Sequence, residues 1–407
     1  MGLIQIDIPS PSEHKRSTFD VIFALGFRPI YLMSAIWAAI AIALWIYMPQ
    51  LLVGKMTSVW WHAHEMLWGF IATVAVGFLL TASATWTGKN PLKSTPLALL
   101  CLLWLIARIG YLIPGNISFT VAALADVSFF IYAAIALARV LYKAKSKQNY
   151  PLVVALLGLA ASNAMYLSCI ALDKVDYLRT GFQIGLLVMA FIALLIGRRV
   201  IPFFTQRGAG LDIPRSEQSG KYQLWLSGLA VVSLVLGLSS LTAILLFALG
   251  GITLYQLYTW QPWGVRKVPL LWVLHISYFF LGLGLLIAGV YFLPVTVNVL
   301  PPATFVHTIG MGGFAVMIIG MMTRTALGHT GRPLKASQLM VVAYVLVIVA
   351  TVLRLAALFV PSILPAASQA IVPLWHSSAA CWIVAFLAYA YQYAPYLTSP
   401  RADGRPG

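Results

Sequence analysis

Residues 60–86 read WWHAHEMLWGFIATVAVGFLLTASATW. After Glu65, no charged residue follows from Met66 to Trp86. At 1.5 Å per residue, a helix of that length crosses the ~30 Å hydrocarbon core of a bilayer. Yet two histidines and a carboxylate stand at its start, where ionisable groups are costly and usually mark a site.

The same kind of apolar run recurs along nearly the whole chain. Punctuation by Pro, Gly and charge predicts helices over 28–48, 60–86, 95–113, 118–142, 151–172, 176–199, 222–238, 241–260, 269–292, 303–326, 338–360 and 369–394. The split near Leu238 to Leu241 rests on Gly237, Ser239 and Ser240 alone. Composition agrees: 61% of residues are hydrophobic, 9% are charged, and the mean hydropathy is +0.90. Soluble domains carry about a quarter charged residues. The expected fold is an all-α integral membrane protein of about twelve transmembrane helices, one polytopic domain over 20–394 between tails 1–19 and 395–407. The first tail is polar, with Glu13, His14, Lys15 and Arg16, and lacks the apolar core of a cleavable signal, so the first helix is expected to remain in the mature protein.

The net charge of +16 does not mark a nucleic-acid patch. Of the 26 Lys and Arg, twenty fall in the termini and even-numbered loops, and three, Lys55, Lys174 and Arg179, in the odd loops. Arg28, Arg108 and Arg354 lie inside helices. By the positive-inside rule both termini are expected to face the cytoplasm.

An internal repeat is also present. A shift of 243 residues pairs His64 with His307, Gly69 with Gly312, Gly77 with Gly320, and Thr87-Gly88-Lys89 with Thr330-Gly331-Arg332. With small slips, Arg28 and Tyr31 fall on His275 and Tyr278, Arg108 on Arg354, and Asp126 on His376. The first four helices thus resemble the last four, and a spacing of eight helices makes this a parallel repeat. A fainter echo of Gly77, Thr85 and Gly88 in Gly197, Thr205 and Gly208 hints at a third copy.

Cys101, Cys169 and Cys381 lie inside apolar runs with no CxxC or CxxCH spacing, which excludes covalent haem attachment and a zinc finger. Six histidines remain as candidate metal ligands: His62, His64, His307 and His376 at the outer ends of helices, and His275 and His329 in the inner half. Neutral imidazole ligates both haem iron and copper. On a regular helix His62 shares a face with Glu65, Met66 and Gly69, while His64 points about 200° away, so the two address different centres; if the helix starts at about His64, both could bind one ion. Gly310, Gly312 and Gly313 leave a groove for a flat macrocycle or for another helix. Arg108 and Arg354 could pair with haem propionates, or Arg108 with Asp126. Glu65 could donate protons, orient a histidine, or sit at the positive end of its helix.

Phe27-Arg28-Pro29, Trp61-His62-Ala63-His64-Glu65-Met66, Trp86-Thr87-Gly88, and His307 through Gly320 to Gly328-His329-Thr330-Gly331-Arg332 resemble the NnrS family, nearly end to end. The resemblance implies a twelve-helix bacterial inner-membrane protein holding haem, here of b type, and copper, and linked to denitrification and resistance to nitric oxide. On that footing the expected function is reduction of nitric oxide to nitrous oxide. Glu65 would then be the proton donor. The resemblance assigns no ligands; matching depth and the repeat make His64 and His307 the expected haem ligands, and His62 and His376 candidates for copper or a second centre. Nitric oxide partitions into lipid and needs no aqueous channel. Electrons would come from a donor outside the chain, since no quinol motif or soluble redox domain is visible. Two other classes stay open: a haem-based sensor or carrier without turnover, and a twelve-helix secondary transporter.

Overall fold

The structure is a computed structural model, and it describes residues 17–56, 58–214, 217–294, 300–363 and 365–404. The tail through Arg16, with Glu13, His14 and Lys15, lies outside the described residues, as do Arg215 and Arg405. Among the described residues the elements are helices and no strand occurs.

A short helix, Thr18–Ile22, leads in. Then come α1 (Phe27–Tyr47), α2 (Ser58–His64, Glu65–Ala72 and Thr73–Thr87 end to end), α3 (Thr95–Gly110) and α4 (Asn116–Lys143). The middle of the chain forms α5 (Tyr150–Ala171), α6 (Val175–Ala209), α7 (Glu217–Val235) and α8 (Ser239–Thr259). The last four are α9 (Pro269–Phe292), α10 (Pro302–His307, Thr308–Ala315 and Val316–His329), α11 (Gln338–Ile363) and α12 (Ile371–Thr398). Ten of these helices are long and apolar enough to span a bilayer. The other two are α3, apolar but short, and α7, which carries Glu217 and Lys221. The protein is a multi-span membrane protein. Its outward faces carry exposed Leu124, Trp225, Ile244 and Val352, the surface that lipid covers.

The expected segments match these helices, with one systematic difference. The helix predicted over 176–199 runs ten residues further, through an internal Pro202, to Ala209. The Arg198-Arg199 pair marks where the apolar run ends, not where backbone hydrogen bonding ends. Arg199 instead ties α6 to the preceding turn, donating to Asn149 Oδ1 at 2.7 Å and to the Gln148 carbonyl at 2.9 Å.

Contacts sort the loops into two faces. On one, Lys55 of the α1–α2 loop donates to Asn116 Oδ1 at 3.1 Å and to the Ala171 carbonyl at 3.2 Å, and Tyr47 donates to the His376 carbonyl. On the other, Arg28 donates to the carbonyls of Leu397 and Ser399, and Arg401 to that of His329. The first and last helices therefore have their outer termini on one face, as an even number of crossings requires. A reporter fused at Lys145 is expected to read cytoplasmic and one at Lys55 periplasmic. Alkaline phosphatase activity at Lys145 would invert the assignment.

The repeat is visible in the backbone. Glu65–Ala72 and Thr308–Ala315 are both π-helical, with hydrogen bonds reaching one residue further than in an α-helix. They stand 243 residues apart, each starting just after a repeat-related histidine, His64 or His307. Such wide turns are rare and frequent at functional sites. The matching glycines serve different contacts. A Cβ at Gly69 would run into the Arg108 guanidinium, and one at Gly312 would lie 2.5 Å from the Phe280 ring.

Candidate functional site

Two different environments lie against the π-helical segments. The first is a closed network of charges. His64, Glu65 and Asp126 are 0% exposed and Arg108 is 1% exposed. Glu65 Oε1 faces His64 Nδ1 at 3.0 Å, and Glu65 Oε2 accepts from Arg108 Nη1 at 3.0 Å and from Trp37 Nε1 at 2.7 Å. Arg108 Nη2 donates to Asp126 Oδ1 at 2.6 Å. His64 Nε2 lies 3.1 Å from Asp126 Oδ2 and 2.9 Å from Asn163 Oδ1, and Asn163 Nδ2 donates to Asp126 Oδ2 at 2.9 Å. Both ring nitrogens of His64 thus face acceptors, the arrangement of an imidazolium donating from each side. With His64 so charged, two cations and two carboxylates sum to zero. A buried pair is stable only when its remaining donors and acceptors are met, and here nearly all are. Arg108 takes the Asp126 alternative left open by the sequence.

The second environment is a cavity of about 700 Å³ between α1, α2, α6, α10, α11 and α12. Its wall is mostly apolar, with His62, His307, His376, Arg179, Gln183, Arg354 and Ser378 among its polar groups. His62 stacks on Trp45 at 5.1 Å with 10° between the rings, and its Nδ1 is buried with no partner. His307 Nδ1 donates to the Ala303 carbonyl at 2.7 Å, so its Nε2 carries the lone pair, which accepts from Arg354 Nε at 3.2 Å. His376 is at the exposed rim, its ring edge-on to Tyr47 at 5.1 Å. The glycines divide their work. A Cβ at Gly310 would meet nothing within 4 Å and Gly310 lines the cavity, whereas Gly312 and Gly313 pack against Phe280 and Leu281 of α9.

His62 and His64 point to different places, as their helical phase requires. The face expected to join His62 to Glu65 does not form: Glu65 lies in the charge network and is absent from the cavity wall. The winding widens at Glu65, and Arg108, Trp37 and His64 hold its carboxylate on the other side. The repeat partners His64 and His307 are likewise separated, one in the network and one at the cavity.

The inner histidines have surroundings that do not overlap. His275 Nδ1 faces the Leu271 carbonyl at 3.0 Å and Nε2 faces Thr205 Oγ1 at 3.4 Å. His329 lies 5.5 Å from the Phe27 ring. No three His, Cys, Asp or Glu among the described residues converge to hold a metal ion. Asn163, Trp37, Trp45 and Arg179 were not among the expected site residues. A lone amide in the apolar run around Asn163 is the signal that could have found the first of them, since such groups seek partners inside membranes. For Trp45 no local signal exists.

A family model described as NnrS protein matches residues 21–401. No curated protein matches the chain at a significant level.

Proposed function

The chain belongs to the NnrS family, and from that premise we propose that it is a bacterial inner-membrane protein that binds haem in the cavity between His62 and His307. There it reduces nitric oxide: two molecules, with two electrons from a donor outside the chain and two protons from solvent, give nitrous oxide and water. The observation that carries this reading is an apolar cavity of cofactor size with two histidines that each keep a nitrogen uncommitted to a backbone group. Cofactor sites are concave, mostly apolar, of about 300–1,000 Å³, with few polar groups.

The residues present fit a haem. Gly310 leaves open space where a side chain would fill the cavity, and the orphaned Nδ1 of His62 is a buried acceptor or donor awaiting a partner. When bound, haem supplies an iron that ligates nitric oxide and exchanges single electrons. The chain's own part is to fix geometry and exclude water. The Ala303 carbonyl sets the tautomer of His307, and Trp45 holds the plane of His62. Met66 and Met311 line the cavity beside the histidines, but among the described residues no three His, Cys, Asp or Glu converge on a metal site. No step is assigned to copper.

Glu65 enters this proposal as an anchor of α2 and not as a proton donor. Its two oxygens are held by His64, Arg108 and Trp37, away from the cavity wall. The test is the purified protein in detergent: an optical spectrum with metal analysis, then nitric oxide added anaerobically to reduced protein, with headspace nitrous oxide measured. A Soret band and nitrous oxide are expected. A Soret band that shifts with nitric oxide but yields no nitrous oxide leaves a sensor or carrier. A protein unable to take up haem would leave the transporter reading.

A further inference from the structure

The first and last repeats place an arginine at matching positions and treat it oppositely. Arg108 on α3 is gripped by the carboxylates of Glu65 and Asp126 at 3.0 and 2.6 Å. Arg354 on α11 has no carboxylate within salt-bridge distance among the described residues. The positions that match Glu65 and Asp126 in the repeat hold Thr308 and His376. The second copy therefore has the arginine without either acid.

What Arg354 does have is insufficient for its charge. Its Nε donates to His307 Nε2 at 3.2 Å, its guanidinium lies 5.3 Å from the centre of the Trp375 ring, and its Nη1 is buried without a partner. A guanidinium stays charged under all ordinary conditions and has no acceptor capacity. Holding that charge beside an apolar cavity without a counter-ion is unfavourable. Arg179, on the same wall, also has no carboxylate partner within salt-bridge distance among the described residues.

We propose that Arg354 anchors a carboxylate of the molecule that fills the cavity, in the role that Glu65 and Asp126 play around Arg108. The occupant is therefore an apolar body bearing carboxylates. Under the haem reading, on which this rests, those carboxylates are the propionates. Guanidinium and carboxylate match as a planar fork, which explains arginine at this place in a mostly apolar wall. Moving Arg354 onto the ligand also releases the lone pair of His307 Nε2.

The experiment uses the full chain produced without a haem supply and purified in detergent. Haem and its dimethyl ester, in which both propionates are blocked, are titrated separately and followed by the Soret band. The wild type is expected to bind haem about 30-fold more tightly than the ester, the low end for truncating one partner of a desolvated charge pair. Arg354→Ala is expected to lose about 30-fold for haem and to bind haem and ester alike. Equal binding of both by the wild type, or a preference for haem that persists in Arg354→Ala, would overturn the role of Arg354 while leaving the haem reading standing. Binding of neither by the wild type would overturn the haem reading and this inference with it. The wild-type comparison needs no variant, so a poorly folding Arg354→Ala does not remove the test.

Discussion

Asp126→Ala is expected to destabilise the protein by about 3–5 kcal/mol, the scale of stranding a buried charge by deleting its partner. Asp126 accepts from Arg108 Nη2 and from Asn163, and lies 3.1 Å from His64 Nε2. Without it, two cations face the single carboxylate of Glu65 in a site that water does not reach. The readout is the apparent melting temperature in detergent, which is expected to fall by at least about 5 °C. Removing charges in opposite pairs separates this cause from lost packing. The Arg108→Leu, Asp126→Leu variant leaves Glu65 beside His64, balances the remaining charge, and is expected to regain more than half of the lost stability. If Asp126→Ala melted within about a degree of wild type, the four charges would not be a coupled unit. If the paired variant were no better than Asp126→Ala, shape rather than charge balance would be what Asp126 supplies.

Haem occupancy is expected to follow the cavity histidines and not the network histidine. His62→Ala and His307→Ala are each expected to leave less than about a tenth of the wild-type Soret absorbance per mole of folded protein, as the loss of a side chain that would hold the haem implies. His64→Ala is expected to act elsewhere. It removes an imidazolium lying against two carboxylates, so the yield of folded protein falls while the haem per folded molecule stays close to wild type. The measurement is the ratio of Soret to protein absorbance across the monodisperse peak in size exclusion. Loss of haem in His64→Ala with retention in His62→Ala would put the iron in the network and reverse the assignment.

These two sets of variants differ because histidines only two residues apart serve opposite ends of the problem. His62 belongs to a cavity wall, and His64 to a neutral knot of charges that holds α2 against α3, α4 and α5. The wide turn beginning at Glu65 sits where the two meet, and its counterpart beginning at Thr308 follows His307 at the other side of the cavity.

Much of this was legible in the chain itself. Apolar run length set the helices, because a bilayer demands about twenty residues in a form that satisfies its own backbone. The shift of 243 residues that pairs His64 with His307 also pairs the two π-helical segments, so the sequence carried the register of the repeat. Helical phase separated His62 from His64 within α2. What each polar group does was settled only by tertiary structure. Arg108 and Arg354 are equivalent in the repeat, yet among the described residues one meets two carboxylates and the other none. Glu65 stands one turn from His62 in sequence but is drawn to the opposite side by Arg108, Trp37 and His64. The physical reason is range. Crossing a membrane is a requirement each segment meets by itself, residue after residue. The fate of a buried charge depends on which helix stands opposite, and Glu65 meets Arg108, Arg108 meets Asp126, and His64 meets Asn163 only once those helices pack together.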